Sequence, residues 1–429
     1  MTTVRSPRFL SAAAIAATAV LALSACAGSA GSGGGGGGTG GGTGFDYGAS
    51  QEDVDAALAE LDPVNIVYQA GAQGPNSVSA QSAHDFKEYV EERSGGKITV
   101  EVIWAQAIAG YSEIDDALAD GRIDVSYALP IYDPSTYPAF DALATTSAGL
   151  PNSPVVGELV GNAAIIDMAW NSEEILTGYE EQGIVPLTPV VSTGNHHAIC
   201  SDAGTTLDDW KGRQVRIPSV SLEAVASNLG ATPVSMEYVE VFEAIQRGTV
   251  DCTLAQLLPS EEAGLLEIAP NVSYASPESS LSSRGAGAML AGSNFQNLPL
   301  AYQQIIFDAG EPGFVASSEV IANGNAAGVK QLREAGGEMT PLDPEAEKKY
   351  KETNDELIAQ VEEDGLIGSD ASQRMKDAAD KWSGVAEELG YEEGGDFNSL
   401  DEWYDVEDFD FTPFAAQLFE EVYLPHRPS

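Results

Sequence analysis

The sequence predicts an α/β protein of two similarly built lobes, with a ligand cleft between them and a helical C-terminal region. Three observations carry this. The folded part opens on a strand, loop, helix and strand. A helix, a glycine and a strand then occur twice, about 130 residues apart. Beyond residue 300 the apolar spacing is that of helices.

The first residues stand apart from the fold. Arg5 and Arg8 precede an apolar run from Phe9 to Leu23, and Leu23-Ser24-Ala25-Cys26 follows. A positive start, an apolar run and small residues before a cut site describe an export signal, residues 1–25. Cys26 sits where cleavage makes it the first mature residue, as in a bacterial lipobox, so it is the expected lipidation site. Gly31 to Gly44 is almost all glycine and reads as a flexible tether. Residues 26–62 are therefore anchor and tether, and the chain is expected to sit on the outer face of a cell membrane.

The first lobe is expected over residues 63–190. Val64–Tyr68 is a short apolar strand, and Gly71–Asn76 is turn chemistry. Ser79–Arg93 is a helix with Ala83, Phe86 and Val90 on one face. Gly95-Gly96 ends it, and Lys97–Trp104, reading KITVEVIW, alternates as a strand. EIDDALADGRIDVSYA (Glu113–Ala128) then aligns without gaps with EVFEAIQRGTVDCTLA (Glu240–Ala255). Ala117 matches Ala244, Gly121 matches Gly248, and Asp124 matches Asp251. Two such segments, each late in its own α/β unit, predict two like lobes, and a cleft between lobes is a usual ligand site.

The second lobe is expected over 191–276. Ala198-Ile199 leads into Cys200, and Gln214–Pro218 alternates so that Val215 and Ile217 face the core while Arg216 points the other way. Ser221–Leu229 is a helix closed by Gly230. Residues 277–320 are expected to return to the first lobe and 321–400 to pack as helices on the second. The helices fall near Leu300–Ala309, Pro344–Glu363 and Ser372–Leu389. Residues 401–429 mix acids with aromatics and read as a strap packed on the body.

Composition excludes some functions. The chain has 20 Lys and Arg against 66 Asp and Glu, a formal charge of −46. Binding to nucleic acid needs a basic face, so no nucleic-acid partner is expected. Cys200 and Cys252 remain after maturation. In an exported protein an even pair reads first as a disulfide. No metal-type CxxC, HExxH, P-loop or GxSxG occurs, so no metal, cofactor or catalytic residue is expected. A secreted cleft hydrolase with paired carboxylates is the alternative, and it has no local signature.

Against this acidity, DDWKGRQVRIPS (208–219) gathers Lys211, Arg213 and Arg216. Arg216 ends a strand that should reach the cleft, where a guanidinium fork can hold a carboxylate with two hydrogen bonds. An internal salt bridge is the competing role. Lys211 and Arg213 read as surface charges flanking a turn, and Trp104 and Trp170 as core.

WKGRQVRIP, LGATPVSM and EVFEAIQRGTVD, in that order, resemble the solute-binding proteins of tripartite ATP-independent periplasmic (TRAP) transporters, the DctP-like family. VEERSGGKITVEV and LPLAYQQIIFDA agree with it, and the resemblance spans about Asn65 to Ala309. It implies the periplasmic-binding-protein fold, no enzymatic activity, a small organic acid as ligand and TRAP permease subunits as partners of a monomer. It implies that Arg216 pairs with the ligand carboxylate, with Tyr238 and Ser219 beside it. Where many members carry a second arginine, this chain has Asn195-His196-His197, so His196 or His197 stands in as a cation or neutral donor. Gln256 is the expected amide ligand. Gln69 and Tyr132, after first-lobe strands, are expected to line the cleft.

Overall fold

The structure is a computed structural model that describes residues 43–276 and 280–429. The export signal, Cys26 and the glycine run as far as residue 42 lie outside the described residues. The expectation that the tether runs to residue 62 is corrected: Gln51–Leu58 is a helix capped by Ser50, and its Val54 and Leu58 are buried in the body. The strands in chain order are β1 Val64–Gln69, β2 Ile98–Ile103, β3 Val125–Ala128, β4 Val185–Gly194, β5 His197–Cys200, β6 Gln214–Ile217, β7 Thr232–Ser235, β8 Cys252–Ala255, β9 Asn271–Tyr274, β10 Gly285–Ala291 and β11 Glu338–Pro341. They form two sheets, ordered β2-β1-β3-β10-β4 and β7-β6-β8-β5-β9-β11.

The two orders are the same design. In each lobe a central strand, β1 or β6, pairs in parallel with both neighbours. The next strand in is antiparallel, and it is supplied by chain arriving from the other side of the molecule: β10 against β3, β5 against β8. The repeated segments show how the sequence encodes this. Helices Ile114–Ala119 and Val241–Gln246 stop before Gly121 and Gly248, whose φ values of 78° and 67° suit glycine. The aspartates that follow act as clips. Asp124 Oδ2 accepts from Val67 N at 2.8 Å, and Asp251 Oδ2 accepts from Gln214 N at 2.8 Å. Each fixes the register of the central strand against its neighbour. By that correspondence Gln69 is the first-lobe counterpart of Arg216.

The chain passes between the sheets at Gly194–His197, because β4 stays in the first sheet as far as Gly194, beyond the boundary expected near Val190. It returns between Tyr274 and Gly285. A third passage is the 25-residue helix Gly310–Glu334, which leads to β11 at the edge of the second sheet. Its glycines hide it in the sequence, but Gly310, Gly324 and Gly328 are packing residues. A Cβ on Gly324 would lie 2.1 Å from Leu258, so only glycine lets helix Leu257–Glu262 come this close.

The expectation that residues 321–400 pack on the second lobe is corrected. Helix Pro344–Asp364 lies on helix Val220–Leu229 but also touches Pro138–Thr146, and helix Ala371–Glu388 lies along Val156–Trp170 of the first lobe. Trp382 is the anchor: fully buried, with its Nε1 donating to Asp167 Oδ2 at 2.9 Å. The C-terminal residues are held by burial of Phe411, Phe414, Phe419 and Tyr423. Arg427 adds a two-pronged ion pair to Asp308, at 2.6 and 2.8 Å, and donates to Phe45 O at 2.7 Å. Cys200 and Cys252 form a disulfide across facing positions of β5 and β8, as the even count predicts.

Candidate functional site

One cavity of about 550 Å³ lies between the lobes and continues into the first. Arg216, Tyr238, Ser219, His196, Gln256 and Tyr132 all line it. Arg216 reaches it because β6 alternates. Val215 and Ile217 are buried in the second-lobe core, while the guanidinium turns to the cavity and is itself 1% exposed. Its Nε donates to Met236 O at 3.0 Å, its Nη2 faces the Tyr132 hydroxyl at 3.4 Å across the cleft, and it lies over the Tyr238 ring, 5.4 Å from the centroid. Every ion pair among the described residues uses another cation. The internal salt bridge that competes for Arg216 is therefore not formed among them. Arg213 is spent on loop carbonyls, donating to Ala203 O at 2.6 Å and Asp202 O at 3.2 Å.

Tyr238 is held by a 3.0 Å hydrogen bond between its hydroxyl and that of Ser260. Burial raises its phenol well above the ordinary value, against the pull of Arg216, so it stays neutral. Ser219 caps helix Val220–Leu229, accepting from Leu222 N at 3.4 Å. His196 Nδ1 donates to Ser283 O at 2.6 Å, since a carbonyl can only accept. Its Nε2 then accepts from Gln256 Nε2 at 3.0 Å. Burial lowers its pKa to about 4, and Arg216 and Arg284 push the same way while the Ser283 bond resists. Near neutral pH His196 is a neutral, oriented ring and not a substitute cation.

Two expected lining residues are not in the cavity wall. Gln69 is 1% exposed and its amide is consumed locally. It donates to Ala109 O at 2.9 Å and accepts from Ile108 N and Ala109 N at 3.0 and 3.2 Å. His197 opens β5 directly after His196 and turns away from the cavity, edge-on to Phe397 with ring centroids 5.3 Å apart. Among the described residues its Nδ1 has no hydrogen-bond partner, and burial drives its pKa to about 3, with His196 adding to the shift. The unfolded chain takes up a proton near the ordinary value of about 6.5. The folded ring does not, so stability falls as pH drops through this window. Replacing His197 by Phe is expected to remove that part of the acid sensitivity. The variant should gain on the parent by about 1.4 kcal/mol per pH unit between pH 6 and 4.5 in urea unfolding. A pH-independent difference between the two proteins refutes this account of His197.

The sequence reading missed residues that shape the site. Glu262 ties the cleft mouth, accepting from Ser79 N at 2.7 Å and Ser79 Oγ at 3.0 Å in the other lobe. Tyr127 lies in the first repeat, and its ring fits because Gly71 and Gly287 flank it. A Cβ at either would come within 2.8 or 2.4 Å of it. Arg284 and Glu158 form a buried ion pair where the chain crosses between lobes. Of these only Tyr127 had a signal, its place at the end of a repeat strand.

Residues 70–364 match the family described as bacterial extracellular solute-binding protein, family 7. The chain belongs to that family, the DctP-like solute-binding proteins of TRAP transporters. Among curated members, the chain is 23% identical over 280 residues to a solute-binding protein of Verminephrobacter eiseniae, covering 62% of this chain and 78% of that one. A solute-binding protein of Sulfitobacter is 23% identical over 175 residues, 39% of this chain, and the chain spans about half, 52%, of its length. The ectoine-binding periplasmic protein TeaA of Halomonas elongata is 25% identical over 166 residues, 38% of this chain and 46% of its own. Solved structures share the two-lobed fold. The sugar acid binding protein DctPAm of Advenella mimigardefordensis, in complex with galactonate, has a TM-score of 0.62 at 20% identity over 75% of this chain and 99% of its own. A TRAP solute-binding protein from Rhodoferax ferrireducens, in complex with benzoate, has a TM-score of 0.64 at 20% identity over the same shares. In this family the residues that match extend to 364, so the C-terminal helix Ala371–Glu388 and the strap lie beyond the shared part. No described helix is long and apolar enough to cross a membrane.

Proposed function

We propose that the protein is an extracytoplasmic receptor, lipid-anchored through Cys26, that captures an organic carboxylate between its lobes and passes it to a TRAP permease. The observation that carries this is Arg216, a buried guanidinium in the cleft, which forms no ion pair with an acid among the described residues. Such a charge is costly to bury alone, and a carboxylate held by two charge-assisted hydrogen bonds compensates it. Relatives in complex with galactonate and benzoate support an acid as ligand. Tyr132 from one lobe, and Tyr238, Ser219 and Gln256 from the other, surround the head group, with Gln256 oriented by His196. A cleft hydrolase would need two carboxylates facing the substrate. The acids that line the cavity, Glu237 and Glu262, lie at its mouth, and Glu262 is spent on Ser79.

Mass spectrometry of gently purified protein should find a bound organic acid. Calorimetry with that acid should show at least tenfold weaker binding to Arg216→Ala, about 1.4 kcal/mol, with unchanged helix content. Unchanged affinity would remove Arg216 from the site and with it the reason for reading a carboxylate.

A further inference from the structure

The cavity is far larger than an acid head group requires. Its about 550 Å³ falls within the range of roughly 300–1,000 Å³ for pockets that enclose drug-sized molecules. Beyond Arg216 it runs into an arm of the first lobe walled by Ile166, Leu187, Ile306, Phe314 and Tyr423. None of these five side chains is charged, and the Tyr423 hydroxyl is paired with Thr188 Oγ1 at 3.2 Å. Tyr423 belongs to the C-terminal residues that lie outside the family match at 70–364, and it is locked there. It stacks on Phe419 with centroids 5.3 Å apart and meets Trp170 edge-on at 5.6 Å.

Charge in the cavity is as one-sided as shape. Its two arginines are Arg216 and Arg284, and Arg284 is already neutralised by Glu158. His196 has both ring nitrogens engaged by Ser283 and Gln256. Glu237 and Glu262 at the mouth oppose a second negative group. The site thus offers one anion-binding point and a long apolar path.

Building on the carboxylate reading above, we infer that the ligand is an amphiphilic monocarboxylic acid whose apolar body is longer than one aromatic ring. Its carboxylate rests on Arg216 and its tail fills the arm closed by Tyr423. The strap thereby sets ligand length, a role for residues the rest of the family match does not include. Burying each added methylene should raise affinity about fourfold.

The test uses the full mature chain and a fixed set of probes: succinate, benzoate, 4-phenylbutyrate and 6-phenylhexanoate, titrated by calorimetry. Affinity should rise at least tenfold from benzoate to 6-phenylhexanoate, with succinate weakest. Gly313 gives the specific control. It shares a helix face with Gly310, Phe314 and Ser317, all lining the cavity, and a Cβ there would meet nothing within 4 Å. Gly313→Leu suits the helix better than glycine and puts its side chain into the tail's path. It should abolish the gain from chain length while leaving benzoate within twofold. Affinity that stays flat or falls with tail length, or a gain that survives Gly313→Leu, overturns the inference. If Arg216→Ala still weakens benzoate in that case, the carboxylate reading stands. If Arg216→Ala affects none of the acids, both fall.

Discussion

Replacing Arg284 by Met is expected to destabilise the protein by about 3–5 kcal/mol, because it strands the Glu158 carboxylate in the interior. Both side chains are almost completely buried, at 0% and 5% exposure. Arg284 Nε donates to Ser192 Oγ at 3.1 Å and Nη1 to Asn195 Oδ1 at 3.0 Å. Glu158 Oε1 accepts from the backbone and side-chain nitrogens of Asn195, both at 3.0 Å. The pair therefore ties together the two passages of chain between the lobes, one leaving β4 and one entering β10. Even the space is reserved, since a Cβ on Gly161 would come 2.8 Å from Arg284 Cζ. The double change Arg284→Met with Glu158→Gln removes both charges while keeping an acceptor for Asn195, and should recover most of the loss. Urea unfolding of the parent, the two single variants Arg284→Met and Glu158→Gln, and the double variant gives the comparison. A loss below 1 kcal/mol for Arg284→Met alone would mean that Glu158 finds water or another donor, and the clamp would carry no weight.

That clamp was invisible in the sequence for a physical reason. Arg284 sits in Ser-Leu-Ser-Ser-Arg-Gly, with no strand alternation before it and no motif around it, and its partner lies 126 positions away. Arg216 was legible because alternation decides its side: Val215 and Ile217 claim the core, so the residue between must face the cleft. The same rule applied to His196-His197 could only say that one ring faces the cavity, not which. Gln69 was misplaced because its position at the end of a first-lobe strand says nothing of local hydrogen bonding, and the loop at Ile108-Ala109 captures its amide. The lobes were legible through the gapless repeat, whose aspartates turn out to clip equivalent strands. Helix Val156–Trp170 gave no amphipathic face to find, since it is buried almost all round by β4 and helix Ala371–Glu388. Helix Gly310–Glu334 was masked by glycines, of which Gly310, Gly324 and Gly328 serve close packing. In both cases tertiary contact overrode the local pattern.

Removing the Cys200–Cys252 disulfide should cost about 4 kcal/mol, the chain-entropy value for a loop of this size, with 52 positions between the cysteines. The loop it closes holds β6, β7 and the repeat helix, and so carries both Arg216 and Tyr238. In the unfolded chain the link forbids many separations of β5 from β8. In the folded chain it adds little constraint, because these strands already pair at Cys200↔Cys252 and Ile199↔Thr253. The effect should therefore fall on stability and spare the site. The Cys200→Ala, Cys252→Ala double variant should unfold at a clearly lower urea concentration yet bind acids at 25 °C with affinity within about twofold of the parent. Reduction of the parent under denaturing conditions, followed by refolding with the thiols blocked, should reproduce the same loss. A variant as stable as the parent and binding as tightly would mean that the bond does not form in the exported protein. A variant equally stable to urea but weak in binding would instead place the disulfide's role in shaping the cleft, since β8 leads directly into Gln256.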